Sequence, residues 1–252
     1  MLIIFLSILS LLYLYNYFIF NDIPKRPNEN TLRLGYINLH ESPISKTDLA
    51  KLENYNCDIW IFLEWNGDNF KNLPAFHNGY TAILNQPHPK TFGTLVLAKD
   101  SSLTIENINS KSYTCPYNQY KLRTENYTFF IAHAPPPVPT CKYETEEYIS
   151  DLTKNAKKKN SILIGDFNAS KWSNGIKYTQ QEGFISAKSS LPHGTLGIGT
   201  WLPKMIKVDY LFTKTNSVVK SINWFTISTS DHAGFVADLQ GKNVDVKDSL
   251  NY

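Results

Sequence analysis

The stretch Ser161-Ile162-Leu163-Ile164-Gly165-Asp166-Phe167-Asn168 halts an apolar run at a glycine and sets an acid and an amide two residues apart just beyond it. Isoleucine and leucine bounded by turn residues read as a buried strand. Side chains at i and i+2 of a strand share a face. If the extended backbone continues past Gly165, Asp166 and Asn168 point to one spot at the strand's end. A carboxylate and a carboxamide aimed together suit the positioning of a water and of a phosphate oxygen. The ordinary alternative is a polar turn that closes a core strand.

The same grammar recurs outward from this segment. Strands are expected at Leu32–Leu39, Asp58–Leu63, Thr81–Leu84, Gly93–Ala98, Tyr127–Ala132, Ser161–Ile164, Lys207–Thr213, Val218–Ile227 and Gly234–Leu239. Leu49 and Leu52 fall at helical spacing within Ser45–Asn54, and Tyr148, Ile149, Leu152 and Ala156 share one face of Thr145–Lys158. A short helix is expected around Trp172–Gln181. Strands that partly alternate with helices and partly follow one another predict an α/β domain with more than one sheet. Asn38, Glu64, His133, Asp166 and Asn168 close strands, Asp209 lies in Val208-Asp209-Tyr210-Leu211-Phe212, and Asp231-His232 precedes the last strand. Open α/β sheets gather ligands at strand ends. Each residue alone has an ordinary structural reading, but the ordered set points to one site.

A chain of 252 residues that is 42% hydrophobic can bury a large core, and a net charge of +3 is too small to argue for nucleic acid. Lys157-Lys158-Lys159 ends a helix and complements its dipole. Residues 2–20 carry no formal charge and at ~1.5 Å per residue span roughly 28 Å, close to a bilayer's hydrocarbon thickness. No basic n-region or small-x-small site marks a cleaved signal. A single-pass anchor is therefore expected over 1–20 and a linker over 21–30. The catalytic domain is expected over 31–240, with a tail over 241–252. Lys25 and Arg26 argue for a cytoplasmic domain. Cys115 and Cys141, in proline-flanked loops, argue for an extracytoplasmic one if they form a disulfide rather than two free thiols. Cys57 reads as a small buried hydrophobe.

Taken in order, Asn38, Phe62-Leu63-Glu64, Ile131-Ala132-His133, Gly-Asp-Phe-Asn, Val-Asp-Tyr-Leu-Phe and Ser230-Asp231-His232 resemble the endonuclease/exonuclease/phosphatase superfamily of metal-dependent phosphohydrolases. The likeness runs from about Leu32 to Leu239. Pro135-Pro136-Pro137-Val138-Pro139 and Thr200-Trp201-Leu202-Pro203 are similar to a membrane-anchored, bacterial-type branch. The resemblance implies a four-layer sandwich of two face-packed mixed β-sheets flanked by helices. It implies Mg²⁺ (Mn²⁺ as substitute) on Glu64, Asn38 and Asp231. His232 would be general base, supported by Asp209, with Asp166 orienting the water. Asn168 and His133 would bind the phosphate, His133 also serving the leaving group. In abasic-site endonucleases a tyrosine lies mid-chain; Tyr113, Tyr117 and Tyr120 are the candidates here. The basic and aromatic DNA-gripping loops of nucleases are not evident.

A monomeric phosphohydrolase or phosphodiesterase is thus expected, acting on a phosphoester or pyrophosphate that an anchor would bias toward lipid-linked substrates. Trp172 and Trp201 are expected in the core, with a membrane-facing position as the alternative. A nuclease and a catalytically dead binding module are the competing functions.

Overall fold

The computed structural model describes residues 7, 10, 24–27, 30–67, 79–109, 112–187, 194–197, 204–215 and 218–240. The expected anchor (Ser7 and Ser10 apart), the tail and Thr200–Pro203 lie outside these residues. Among the described residues no helix is long and apolar enough to cross a membrane.

Among the described residues twelve strands form two six-stranded sheets. The first holds β1 (Leu32–Asn38), β2 (Ile59–Leu63), β3 (Thr81–Gln86), β4 (Thr94–Ala98), β11 (Val219–Thr226) and β12 (Ala233–Leu239), in the order β11-β12-β1-β2-β4-β3. The second holds β5 (Thr104–Asn107), β6 (Tyr120–Arg123), β7 (Thr128–His133), β8 (Ser161–Asp166), β9 (Ile185–Ser186) and β10 (Asp209–Thr213), in the order β5-β6-β7-β8-β10-β9. Both sheets are mixed: β1 runs parallel to β2 and β7 to β8, and their other pairings are antiparallel.

Strand alternation divides the apolar residues into three cores. Leu34, Tyr36, Ile59, Ile61 and Leu63 face Phe129, Ile131, Ile162, Ile164 and Leu211 between the sheets. Ile37, Trp60, Phe62 and Leu97 point outward, against Leu49 and Leu52 of α1 (Lys46–Asn54). Phe130, Leu163, Tyr210 and Phe212 do the same against α2 (Thr145–Asn155) and α3 (Asn174–Gln181). The layers are therefore helix, sheet, sheet, helices. Ser45 and Ser173 cap α1 and α3 by accepting from the N–H three residues on. Gly175 lets α3 approach α2, since a Cβ there would meet Glu146 and Ile149.

All nine expected strands are present. Three more, β5, β6 and β9, escape the sequence pattern. β5 is polar and largely exposed, and β9 has two residues, so neither carries an apolar signature. β6 alternates buried Tyr120 and Leu122 with Lys121 and Arg123 over only four residues.

At the other end of the sandwich, Arg33 is buried and pairs with Asp238 through Nε–Oδ1 at 2.7 Å and Nη2–Oδ2 at 2.9 Å. Arg33 also donates to Pro24 O at 3.1 Å, and Arg26 pairs with Asp58. The end of the expected linker is thus tied to the start of β1.

Candidate active site

Strand register brings the polar ends together. In the parallel pairs Asn38 lies beside Leu63, so Glu64 follows next to it, and His133 lies beside Asp166. Asp209 opens β10 opposite Asp166, and His232 immediately precedes β12. All eight predicted residues stand at this one end of the sandwich.

The strand runs one residue past Gly165, beyond its expected end at Ile164, but does not reach Asn168. β8 ends at Asp166, and Asn168 is left-handed (φ 45°). Asp166 and Asn168 meet through a turn instead: Asn168 N–H donates to Asp166 Oδ1 at 2.8 Å, and Asn168 Nδ2 donates to Ala134 O at 2.8 Å. Gly165 makes the sharp exit feasible. Its φ is +140°, and a Cβ there would lie 1.9 Å from Ala132 O.

At the centre, Asn38 Nδ2 donates to Glu64 Oε1 at 2.9 Å and to Asp166 Oδ2 at 3.2 Å. Its oxygen is turned to His40 N–H at 2.9 Å. Asp209 accepts from Tyr36 Oη at 2.7 Å on Oδ1 and contacts His232 Nδ1 at 3.0 Å on Oδ2. A carboxylate only accepts, so Nδ1 carries a proton, and when the imidazole is neutral Nε2 keeps the lone pair. Nε2 lies 4.0 Å from Asp166 Oδ2 and 3.9 Å from Asp231 Oδ1. His133 Nε2 is 3.6 Å from Glu64 Oε1, and His40 Nδ1 is 3.2 Å from Asp231.

Burial pushes the Asp166 carboxyl up and the Asp209 charge adds to it; the His232 and His133 imidazoles offset this only in part, leaving it at about 7. Burial disfavours a charged His232, but Asp209, Asp166 and Asp231 outweigh it and raise the imidazole to about 10. Burial likewise opposes ionisation of Glu64, yet His133 and Asn38 hold its carboxyl below its ordinary value.

Negative charge is in excess here. Glu64, Asp166 and His232 each offer a ligand atom, all within 4.8 Å of one another, and among the described residues the buried Glu64 Oε2 has no hydrogen-bond partner. An oxygen-rich, anionic pocket with an unpartnered carboxylate oxygen fits a hard divalent cation.

Sequence reasoning missed the support. Ser230 Oγ donates to Asn38 O at 2.7 Å and accepts from His232 N–H at 3.0 Å. Thr195 Oγ1 accepts from Val208 and Asp209 N–H, both at 3.0 Å. Tyr36 was findable, because it sits two residues before Asn38 on the same strand face. Of the three tyrosine candidates, Tyr117 reaches the site and packs edge-on to His133, with centroids 4.6 Å apart. Tyr113 bonds Asp151 and Tyr120 bonds Gln86. A disulfide joins Cys115 to Cys141 and so fixes the loop carrying Tyr117; Cys57 is free and buried.

The rim differs from expectation. Trp172, expected in the core, is 70% exposed beneath Lys171 Nζ, 4.8 Å from its ring centroid. Tyr143 and Met205 are exposed as well. These residues lie on the β7–α2, β8–α3 and pre-β10 loops, at the end that carries the candidate site.

A model described as the Endonuclease/Exonuclease/phosphatase family matches residues 41–232. The chain belongs to this family. A search of curated proteins finds no match. Among solved structures, a humanized D. rerio TDP2 is similar, with TM-score 0.62, 14% identity, and 83% of this chain and 99% of that chain covered. A family member from Bacteroides vulgatus gives TM-score 0.59 at 16% identity, covering 85% of this chain and 100% of that one. The 3′ phosphatase NExo from Neisseria, bound to a product DNA hairpin, gives TM-score 0.60 at 11% identity, covering 82% and 99%. At these identities the likeness shows the fold alone. The family's members are hydrolases of phosphoester bonds that depend on a divalent metal.

Proposed function

We propose that this chain is a Mg²⁺-dependent phosphoesterase, with Mn²⁺ as a substitute ion, in which His232 is the general base. The observation that carries the reading is the line Asp209–His232–Asp166, set beside the unpartnered oxygen of Glu64. Glu64 would hold the cation, Asn38 would fix the Glu64 carboxylate, and Asp231 would add a ligand from the rim. When bound, the ion supplies charge neutralisation on the phosphoryl oxygens.

With the imidazole neutral, His232 Nε2 takes the proton of a water held between it and Asp166, and the water oxygen attacks phosphorus. Asp209 stabilises the imidazolium that forms. The remaining Asn168 amide N–H and the His133 ring bind phosphoryl oxygens. His133, with neither ring nitrogen hydrogen-bonded among the described residues, protonates the leaving oxygen as the P–O bond breaks.

The Cys115–Cys141 disulfide supports an extracytoplasmic domain. A lipid-linked substrate is less well supported. Arg33 ties the linker to the start of β1, and Asn38 lies five residues along it, roughly 17 Å at ~3.3 Å per residue. An anchor entering there would hold the site away from its own bilayer. A second reading, nuclease, gains from the exposed Trp172 under Lys171, a surface on which a base can stack.

The test is turnover by the full chain of bis-p-nitrophenyl phosphate, a polyprenyl pyrophosphate, phospholipids and DNA, with Mg²⁺ and with EDTA, and with His232→Ala as control. Metal-dependent turnover lost in the variant is expected, and the preferred substrate decides between the readings. No turnover, with no Mg²⁺ or Mn²⁺ heat in calorimetry, would point to a binding module.

A further inference from the structure

We propose that Tyr36 is a positioning residue for the general base: its hydroxyl, reaching across from the first sheet to the second, aims the Asp209 carboxylate at His232. The inference rests on the phosphoesterase reading for its kinetic arm only. Tyr36 and Asp209 are both fully buried. Among the described residues the Asp209 side chain bonds Tyr36 through Oδ1 at 2.7 Å and His232 through Oδ2 at 3.0 Å. No water is needed to satisfy either oxygen, so these two contacts set the carboxylate plane. The Tyr36 ring is held independently, stacked on Phe235 at a centroid distance of 4.9 Å, so removing the hydroxyl leaves the packing in place.

The roles of donor and acceptor make this testable in a way that ring packing alone would not. Asp209 accepts from both neighbours. With Asp209→Asn, the Tyr36 hydroxyl still needs an acceptor and draws the amide oxygen to itself. The amide NH₂ then faces His232 Nδ1 and donates to it. That is compatible only with the tautomer protonated on Nε2, which cannot act as base. Removing the Tyr36 hydroxyl as well frees the amide to turn its oxygen toward an Nδ1–H and restores the lone pair on Nε2. The same Tyr36→Phe change is therefore harmful beside Asp209 and helpful beside Asp209→Asn.

The experiment compares the full-length wild type, Tyr36→Phe, Asp209→Asn and the double variant. Turnover is measured per folded molecule on bis-p-nitrophenyl phosphate with Mg²⁺. The imidazole tautomer is read by ¹⁵N NMR above its titration, with the His232 signals assigned by their loss in His232→Ala. Tyr36→Phe is expected to lower kcat roughly tenfold with KM unchanged, and to raise kcat of Asp209→Asn roughly threefold or more, each the work of about one hydrogen bond. The NMR signature should move from Nδ1–H in wild type to Nε2–H in Asp209→Asn and back toward Nδ1–H in the double variant. Equal losses in both backgrounds, or an unchanged tautomer, would overturn the proposal. The expected tautomers without turnover of any substrate would uphold Tyr36 and overturn the phosphoesterase reading.

Discussion

Replacing Asp166 with Asn should make the metal-free protein more stable and inactive at once. The folded carboxyl sits at about 7 against an ordinary 3.8, because it is buried beside Asp209. Between those values the folded protein binds more protons than the unfolded chain. The group therefore contributes nothing below pH ~3.8, and destabilises progressively as pH rises to about 7. The full span of roughly three pH units corresponds to about 4 kcal/mol. Asn abolishes that penalty but cannot keep both hydrogen bonds, since Asn168 N–H and Asn38 Nδ2 both donate to the present carboxylate. One lost bond in a buried site costs about 1–3 kcal/mol, so the net gain at pH 8 is about 1–3 kcal/mol. The assay is urea denaturation in EDTA at pH 8 and pH 4.5. Asp166→Asn should be the more stable at pH 8 and equal to or less stable than wild type at pH 4.5, with turnover down at least ~10²-fold. A variant less stable than wild type at pH 8, or equally stabilised at both pH values, would refute the account.

Glu64→Ala should remove the Mg²⁺ binding heat in calorimetry and abolish most turnover, as EDTA should in wild type, while the fold survives. Gly165→Ala forces a Cβ onto Ala132 O at an unfavourable φ, and should lose about 4 kcal/mol or more, read as a depressed Tm or an insoluble product. Replacing Cys115 and Cys141 with Ser opens a loop spanned by a 26-residue separation and should cost about 3 kcal/mol in chemical denaturation, with a loosened Tyr117 visible as a raised KM. If the substrate is nucleic acid, Trp172→Ala should weaken its binding by about 1–3 kcal/mol at unchanged Tm; an unaltered KM for DNA would remove the stacking role.

How much of this was legible in the sequence depended on burial. β2 and β8 announce themselves because each is buried along its whole length and carries a run of large apolar residues, Ile59–Leu63 in β2 and Ile162–Ile164 in β8. β5 and β9 lie at sheet edges and carry no such pattern. The candidate set was readable because each member closes or opens an apolar run, and a strand's end is a place that sequence marks. Roles were less readable than membership. That Asn38 turns its nitrogen to Glu64 and Asp166, and its oxygen to His40, depends on the turn beyond β1. Residues acting across the sandwich, such as Thr195 on the Asp209 backbone, depend on pairings between segments far apart in sequence.

The distribution of backbone strain ties the site to the fold. Among the described residues seven that are not glycine have positive φ: His40, Glu41, Asn56, Glu64, Lys142, Tyr143 and Asn168. Four of them, His40, Glu41, Glu64 and Asn168, lie within three residues of the ends of β1, β2 or β8, beside the candidate site; Lys142 and Tyr143 follow the short 3-10 turn Pro139–Cys141 in the loop after β7. A left-handed residue just past a strand turns the chain sharply and its side chain out of the pleat, whereas a gradual exit would carry Glu64 and Asn168 away from the sandwich axis. Each such residue costs about 1–2 kcal/mol. The same end also confines Glu64, Asp166 and Asp209 in one buried cluster, with Asp231 at its rim. Both features burden the metal-free fold at one place, while three apolar cores support it elsewhere. A cation would relieve the charge but not the strain. Added Mg²⁺ should therefore raise the Tm of wild type and leave that of Glu64→Ala unmoved. An equal rise in both would mean that the ion binds outside the cluster.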